Sequence, residues 1–163
     1  MLLCHVMQLP IQGCGEGKAS LAAGLVLYPA ERSVNVWSLA ADHSLGSLAG
    51  HRQPVSVVAC STDGQLAAAG CNDGSIWVWN VPQQVHRSTL TSASGSEVWA
   101  LSQLGSSGLA SAGDGRSIDV WDLESGTRLL PTGFTGHESA VLDLAATLHG
   151  NSLLSCSADH TIR

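Results

Sequence analysis

Tryptophans at positions 37, 79 and 121 stand at equal spacings of 42 residues, and each closes the same short phrase. The phrases are Ser33-Val34-Asn35-Val36-Trp37-Ser38, Ser75-Ile76-Trp77-Val78-Trp79-Asn80 and Ser117-Ile118-Asp119-Val120-Trp121-Asp122. A fixed period of this kind constrains the fold more than any composition value. Each copy must be one supersecondary unit, and stacking must bury what the unit alone leaves exposed. A Gly-His pair recurs at Gly50-His51 and Gly136-His137, two periods apart. The final residues, Ser157-Ala158-Asp159-His160-Thr161-Ile162-Arg163, enter the phrase again, and the register predicts Val-Trp directly after them. The sequence therefore reads as a segment of a longer repeat array.

Inside a copy, apolar runs of strand length alternate with turn residues. The copy ending at Trp79 has Val55–Cys60, Leu66–Gly70, Ile76–Asn80 and roughly Val85–Leu90, separated by Thr62-Asp63-Gly64, Asn72-Asp73-Gly74 and a link containing Pro82. Asp-Gly between two apolar runs is a strong hairpin signal, because glycine accepts positive φ at no steric cost. Runs this short, punctuated by glycine and serine, leave little room for helix. Four short antiparallel strands make a sheet too small to bury its own faces, and packing such sheets face to face around an axis solves the problem.

The phrases ending Trp37-Ser38, Trp79-Asn80 and Trp121-Asp122, with the Gly-His pairs, resemble WD40 repeats. The resemblance runs from about Ala19 to the end and implies an all-β WD40 β-propeller of about three and a half blades. Their expected limits are 1–49, 50–92, 93–135 and an incomplete 136–163. It also implies a hydrogen-bonded network of histidine, serine or threonine, aspartate and tryptophan in each blade. Position by position, the second blade supplies His51, Asp73 and Trp79, with Ala69 where serine is expected. The third supplies Ser111, Asp114 and Trp121, with Asp114 one residue early and no histidine across Ala93 to Gly95. The fourth supplies His137, Ser155 and Asp159. The first has Glu31 at the aspartate position and Leu27 at the serine position.

His137, Ser155 and Asp159 also have the residue types of a nucleophile, base and orienting acid. The same set recurs at the repeat period, whereas an enzyme needs one active site, so a structural role is expected and no catalytic residue is assigned. Gly13-Cys14-Gly15-Glu16-Gly17-Lys18 imitates a phosphate loop, but Gln12 and Ala19 stand where glycine and serine or threonine are required. The five cysteines, Cys4, Cys14, Cys60, Cys71 and Cys156, are odd in number and form no CxxC pair. They read as reduced, buried thiols of an intracellular protein. Histidine spacing offers no metal site, and no cofactor is expected. No run of about 18 apolar residues is present to span a membrane. Seven Lys and Arg against 13 Asp and Glu give a formal charge of −6, which argues against direct nucleic-acid contact.

The resemblance implies a non-catalytic protein-interaction scaffold whose partners are proteins or peptides. Two rivals stand beside it: a subunit of an RNA-processing or ribosome-assembly complex, and a substrate receptor of a ubiquitin ligase. Receptors of the latter kind often carry Trp-Asp-x-Arg, and here Glu124 occupies the arginine position. Recognition residues concentrate in loops on a rigid scaffold, and arginine is favoured as an interface anchor. The loops joining blades, and those joining second to third strands, share one rim of a propeller. They nominate Arg52, Asn72, Arg116 and His160, with Trp99 as an aromatic anchor near the central channel. Open blade edges predict that the isolated segment self-associates.

Overall fold

The computed structural model describes residues 17–92, 95–147 and 151–163, and these contain strands and no helix. The first sheet comprises β1 (Ser20–Ala22), β2 (Leu25–Ala30), β3 (Ser33–Ser38) and β4 (His43–Ala49). The second holds β5 (Val55–Cys60), β6 (Leu66–Cys71), β7 (Ser75–Asn80) and β8 (Val85–Thr91). The third holds β9 (Val98–Leu104), β10 (Gly108–Gly113), β11 (Asp119–Asp122) and β12 (Thr127–Arg128). The fourth pairs β13 (Val141–Ala146) with β14 (Leu153–Ser157). Every sheet is an antiparallel meander whose spatial order follows the chain. Residues 161–163 then run back along β14, where Ser155 and Arg163 exchange backbone hydrogen bonds of 2.9 and 3.0 Å.

The Asp-Gly turns form as expected, and their side chains show why. Asp63 Oδ1 accepts from the Ser61 hydroxyl at 2.6 Å and the Gln65 amide at 3.0 Å. Asp73 Oδ1 accepts from the Ser75 amide and hydroxyl at 3.0 and 2.5 Å. The glycine that follows each aspartate turns the chain at positive φ, +72° at Gly64 and +80° at Gly74. A bulge then breaks the register at the same point of two blades, between Val36 and Trp37 against β4 and between Val78 and Trp79 against β8. The extra residue sits on the outer strand, where it increases the local twist.

The blades are held by side-chain alternation across shared cores. In β6, Ala67, Ala69 and Cys71 face the first blade and meet Leu27, Val34, Val36 and Leu48. Leu66 and Ala68 face the other way, joining Val98, Leu109 and Trp121 of the third blade. A third core combines Ala100, Ala110 and Ile118 with Val141 and Leu144 of the fourth. The small residues of β6, all buried, let neighbouring sheets approach on both sides. Inner-strand serines add a polar tie at every junction. Ser20 Oγ accepts from the Cys60 amide at 3.1 Å, Ser56 Oγ donates to the Val98 carbonyl, and Ser102 Oγ accepts from the Ala146 amide at 3.0 Å.

Candidate functional site

Two constellations concern function: the hydrogen-bonded tryptophan locks within the blades, and a cleft where three blades meet. In the fourth blade, His137 Nε2 lies 2.8 Å from Ser155 Oγ and Nδ1 lies 2.9 Å from Asp159 Oδ2. The Glu138 amide donates to that same oxygen, and the Thr161 amide and hydroxyl donate to Oδ1. These donors, with the Thr161 hydroxyl foremost, hold the Asp159 carboxyl well below the ordinary carboxylate range. His137 and Ser155 are buried, so their hydrogen bonds satisfy groups that would otherwise be orphaned.

The other blades depart from this plan. With Ala69 supplying no hydroxyl, Trp79 Nε1 donates directly to His51 Nε2 at 3.2 Å, while His51 Nδ1 faces the Arg32 carbonyl at 3.1 Å. Asp73, expected beside His51, makes its hydrogen bonds within its own turn to Ser75. Trp77 stacks 5.9 Å from Trp79 and contacts both His51 and His86, so an aromatic cluster stands where the polar relay would be. In the third blade Trp121 Nε1 donates to Ser111 Oγ at 2.8 Å. Asp114 is exposed and its carboxylate joins no lock among the described residues; the one-residue offset puts it on the solvent side of the turn. In the first blade Leu27 offers no acceptor, and buried Trp37 Nε1 has no partner among the described residues.

Sequence reasoning passed over an ionic pair in the third blade. Buried Asp119 pairs with Arg128 and accepts from Ser92 Oγ of the preceding blade at 2.9 Å, while Arg128 also donates to the Pro131 carbonyl at 2.8 Å. Asp119 sits inside the repeated phrase at a position held by asparagine and tryptophan in the other copies, which was the available signal. Lys18, the end of the phosphate-loop imitation, pairs with Asp143 at 2.6 Å; residues 13–16 of that motif lie outside the described residues. No cluster of three metal-ligating side chains occurs among the described residues. No described helix is long and apolar enough to cross a membrane.

The cleft measures about 560 Å³ and opens at the end of the sheets where β5 and β9 begin. Its walls are Glu31 and Arg32 of the β2–β3 turn, Pro54 to Ser56 entering β5, Asn72 of the β6–β7 turn, and Glu97 and Trp99 at β9. Glu31 adopts φ +51°, and its carbonyl accepts from the Val55 amide at 2.7 Å, which ties the first blade's turn to the second. Trp99 Nε1 donates to Glu97 Oε2 at 3.0 Å. Two of the five nominated recognition residues, Asn72 and Trp99, thus meet in one cavity. Arg52, Arg116 and His160 are exposed in their loops and do not line it. Glu31 and Arg32 join the site from positions that one-dimensional reasoning did not connect, whereas Glu97 belongs to a blade-joining loop expected on the same rim as Asn72.

Four-strand meanders stacked face to face, tied by inner-strand serines and locked in two blades by hydrogen-bonded tryptophans, define a segment of a β-propeller. Two of its segments match WD40 repeats: the family profile "WD domain, G-beta repeat" covers residues 42–80 and 128–163. The chain is 30% identical over 115 residues to the ribosome biogenesis protein YTM1 of Coccidioides immitis (strain RS), covering 66% of this chain and 24% of that protein. It is 39% identical over 79 residues to the small ribosomal subunit protein RACK1 of Glycine max, covering 48% of this chain and 24% of that one. A chain from the crystal structure of the mitotic checkpoint complex shares the fold with a TM-score of 0.82 at 23% identity, over 90% of this chain and 45% of its own length. The chain thus spans about a quarter of the length of these curated relatives.

Proposed function

We propose that this WD40 segment is a non-catalytic scaffold that binds proteins or peptides inside the cell, and that it does so at the end of the sheets where the cleft opens. One observation carries the reading: the turns of three blades converge there on a half-buried tryptophan, Trp99. Arg52 and Arg116 stand on loops of the same end and extend the contact surface around it. The test compares proteins recovered by affinity purification and mass spectrometry with the intact protein and with an Arg52→Glu, Arg116→Glu, Trp99→Ala variant. Loss of partners at an unchanged melting temperature supports the assignment, and an identical set moves binding to another surface.

The likeness to the ribosome biogenesis protein YTM1 favours a second reading, a subunit of a ribosome-assembly complex. With 7 basic against 13 acidic residues, such a subunit would contact its complex through protein rather than RNA. Insensitivity of complex recovery to ribonuclease is the expected result.

A further inference from the structure

The cleft in front of Trp99 has a ring and charge content that suits one kind of side chain. We infer that it receives a basic side chain, a guanidinium or ammonium, presented by a partner peptide; this rests on the scaffold reading and names what that surface recognises. Two acidic residues, Glu31 and Glu97, line the cleft from different blades, and neither makes an ion pair among the described residues. The Trp99 indole holds one Glu97 oxygen at 3.0 Å, which fixes the carboxylate beside the ring and leaves its second oxygen for a ligand. A cation over a tryptophan face is attracted by the ring quadrupole, and a neighbouring carboxylate adds a charge-assisted hydrogen bond.

Arg32 lines the same space, so the lining residues include two acids and one base. The balance is acidic, and Arg32 is placed for a backbone carbonyl or carboxylate flanking the basic residue. The volume of about 560 Å³ admits a long basic side chain with part of its peptide. The receptor is also set in advance, since the Glu31 carbonyl is tied to the Val55 amide across the blade junction. A peptide would meet walls that need little ordering.

The experiment selects phage-displayed random dodecapeptides on the intact protein. The best peptide is then measured by fluorescence anisotropy beside a copy whose arginine is replaced by citrulline, or whose lysine is acetylated. The expected peptides carry arginine or lysine, and the neutral copy binds about tenfold or more weaker. Glu97→Gln and Glu31→Gln reduce affinity for the charged peptide but leave its neutral copy and the melting temperature unchanged. Peptides that Trp99→Ala releases but that lose nothing on neutralisation overturn the inference while leaving the scaffold reading intact. A selection with no peptide sensitive to Trp99→Ala overturns the inference as well. The placement of partner binding at this end fails separately, if the triple variant of the previous subsection keeps every partner.

Discussion

Acidification should loosen the contact between the first and second blades, through one imidazole. His51 is 5% exposed, with Nδ1 on the Arg32 carbonyl and Nε2 accepting from Trp79. Both bonds are satisfied together by the neutral ring protonated at Nδ1. A second proton on Nε2 would face the Trp79 N–H, donor against donor. Burial pushes the His51 pKa below the usual 6.5; the Arg32 carbonyl opposes this, His86 adds to it, and Asp73 opposes it. The unfolded chain therefore binds the proton first, so stability is full above about pH 6.5 and falls as pH drops toward the folded value. One titrating group limits the slope to about 1.4 kcal/mol per pH unit. Trp79→Phe keeps most of the ring packing, strands Nε2 without a donor at a cost of about 1–3 kcal/mol at neutral pH, and shallows the acid slope. His51→Ala removes this group's share of the slope. Urea unfolding followed by circular dichroism, between about pH 5 and pH 8, reads all three proteins. An acid slope unchanged by His51→Ala would refute the assignment, and a Trp79→Phe variant as stable as the parent at neutral pH would refute the hydrogen bond's role.

The other predictions are comparative. Trp121→Phe should cost about 1–3 kcal/mol by orphaning Ser111, whereas Trp37→Phe removes an N–H with no partner among the described residues and should cost clearly less; matched denaturant melts decide it. Asp159→Ala should destabilise more than Asp73→Ala, because Asp159 ties a histidine and two backbone amides while the hydrogen bonds of Asp73 stay within its own turn. Equal losses in midpoint would contradict the division of roles. Burial raises the Cys60 and Cys71 thiols to about 11, so peptide-resolved alkylation near pH 8 should label them only after unfolding and label partly exposed Cys156 sooner.

The strands were legible because their signals are local. Asp-Gly turns and alternating apolar runs placed β5 to β8 within a residue or so of their observed ends. The tryptophan period located the lock positions, and the residue types at Ser111, His137 and Ser155 predicted which side chains meet. What failed was partner choice. Whether an aspartate reaches a histidine depends on the hydroxyl between them, and Ala69 redirected Trp79 to His51 while Asp73 stayed with Ser75. A one-residue offset likewise carried Asp114 out to solvent. The cleft was least legible. Its walls come from four separated stretches between residues 29 and 99, and only the packing of three blades brings them together.

The alternation within β6 has a consequence for how such a protein acquires and loses stability. Successive side chains of this strand belong to different cores, so the second blade lends half of itself to each neighbour. Energetically that is a one-dimensional array, in which each unit is marginal and the couplings between units carry the cooperativity. A single-residue insertion in β6 would exchange the two sets of side chains and spoil two junctions at once. Insertion of a whole 42-residue period would instead reproduce a junction that already exists. Such a chain can lengthen blade by blade far more readily than it can tolerate the gain of one amino acid in a strand.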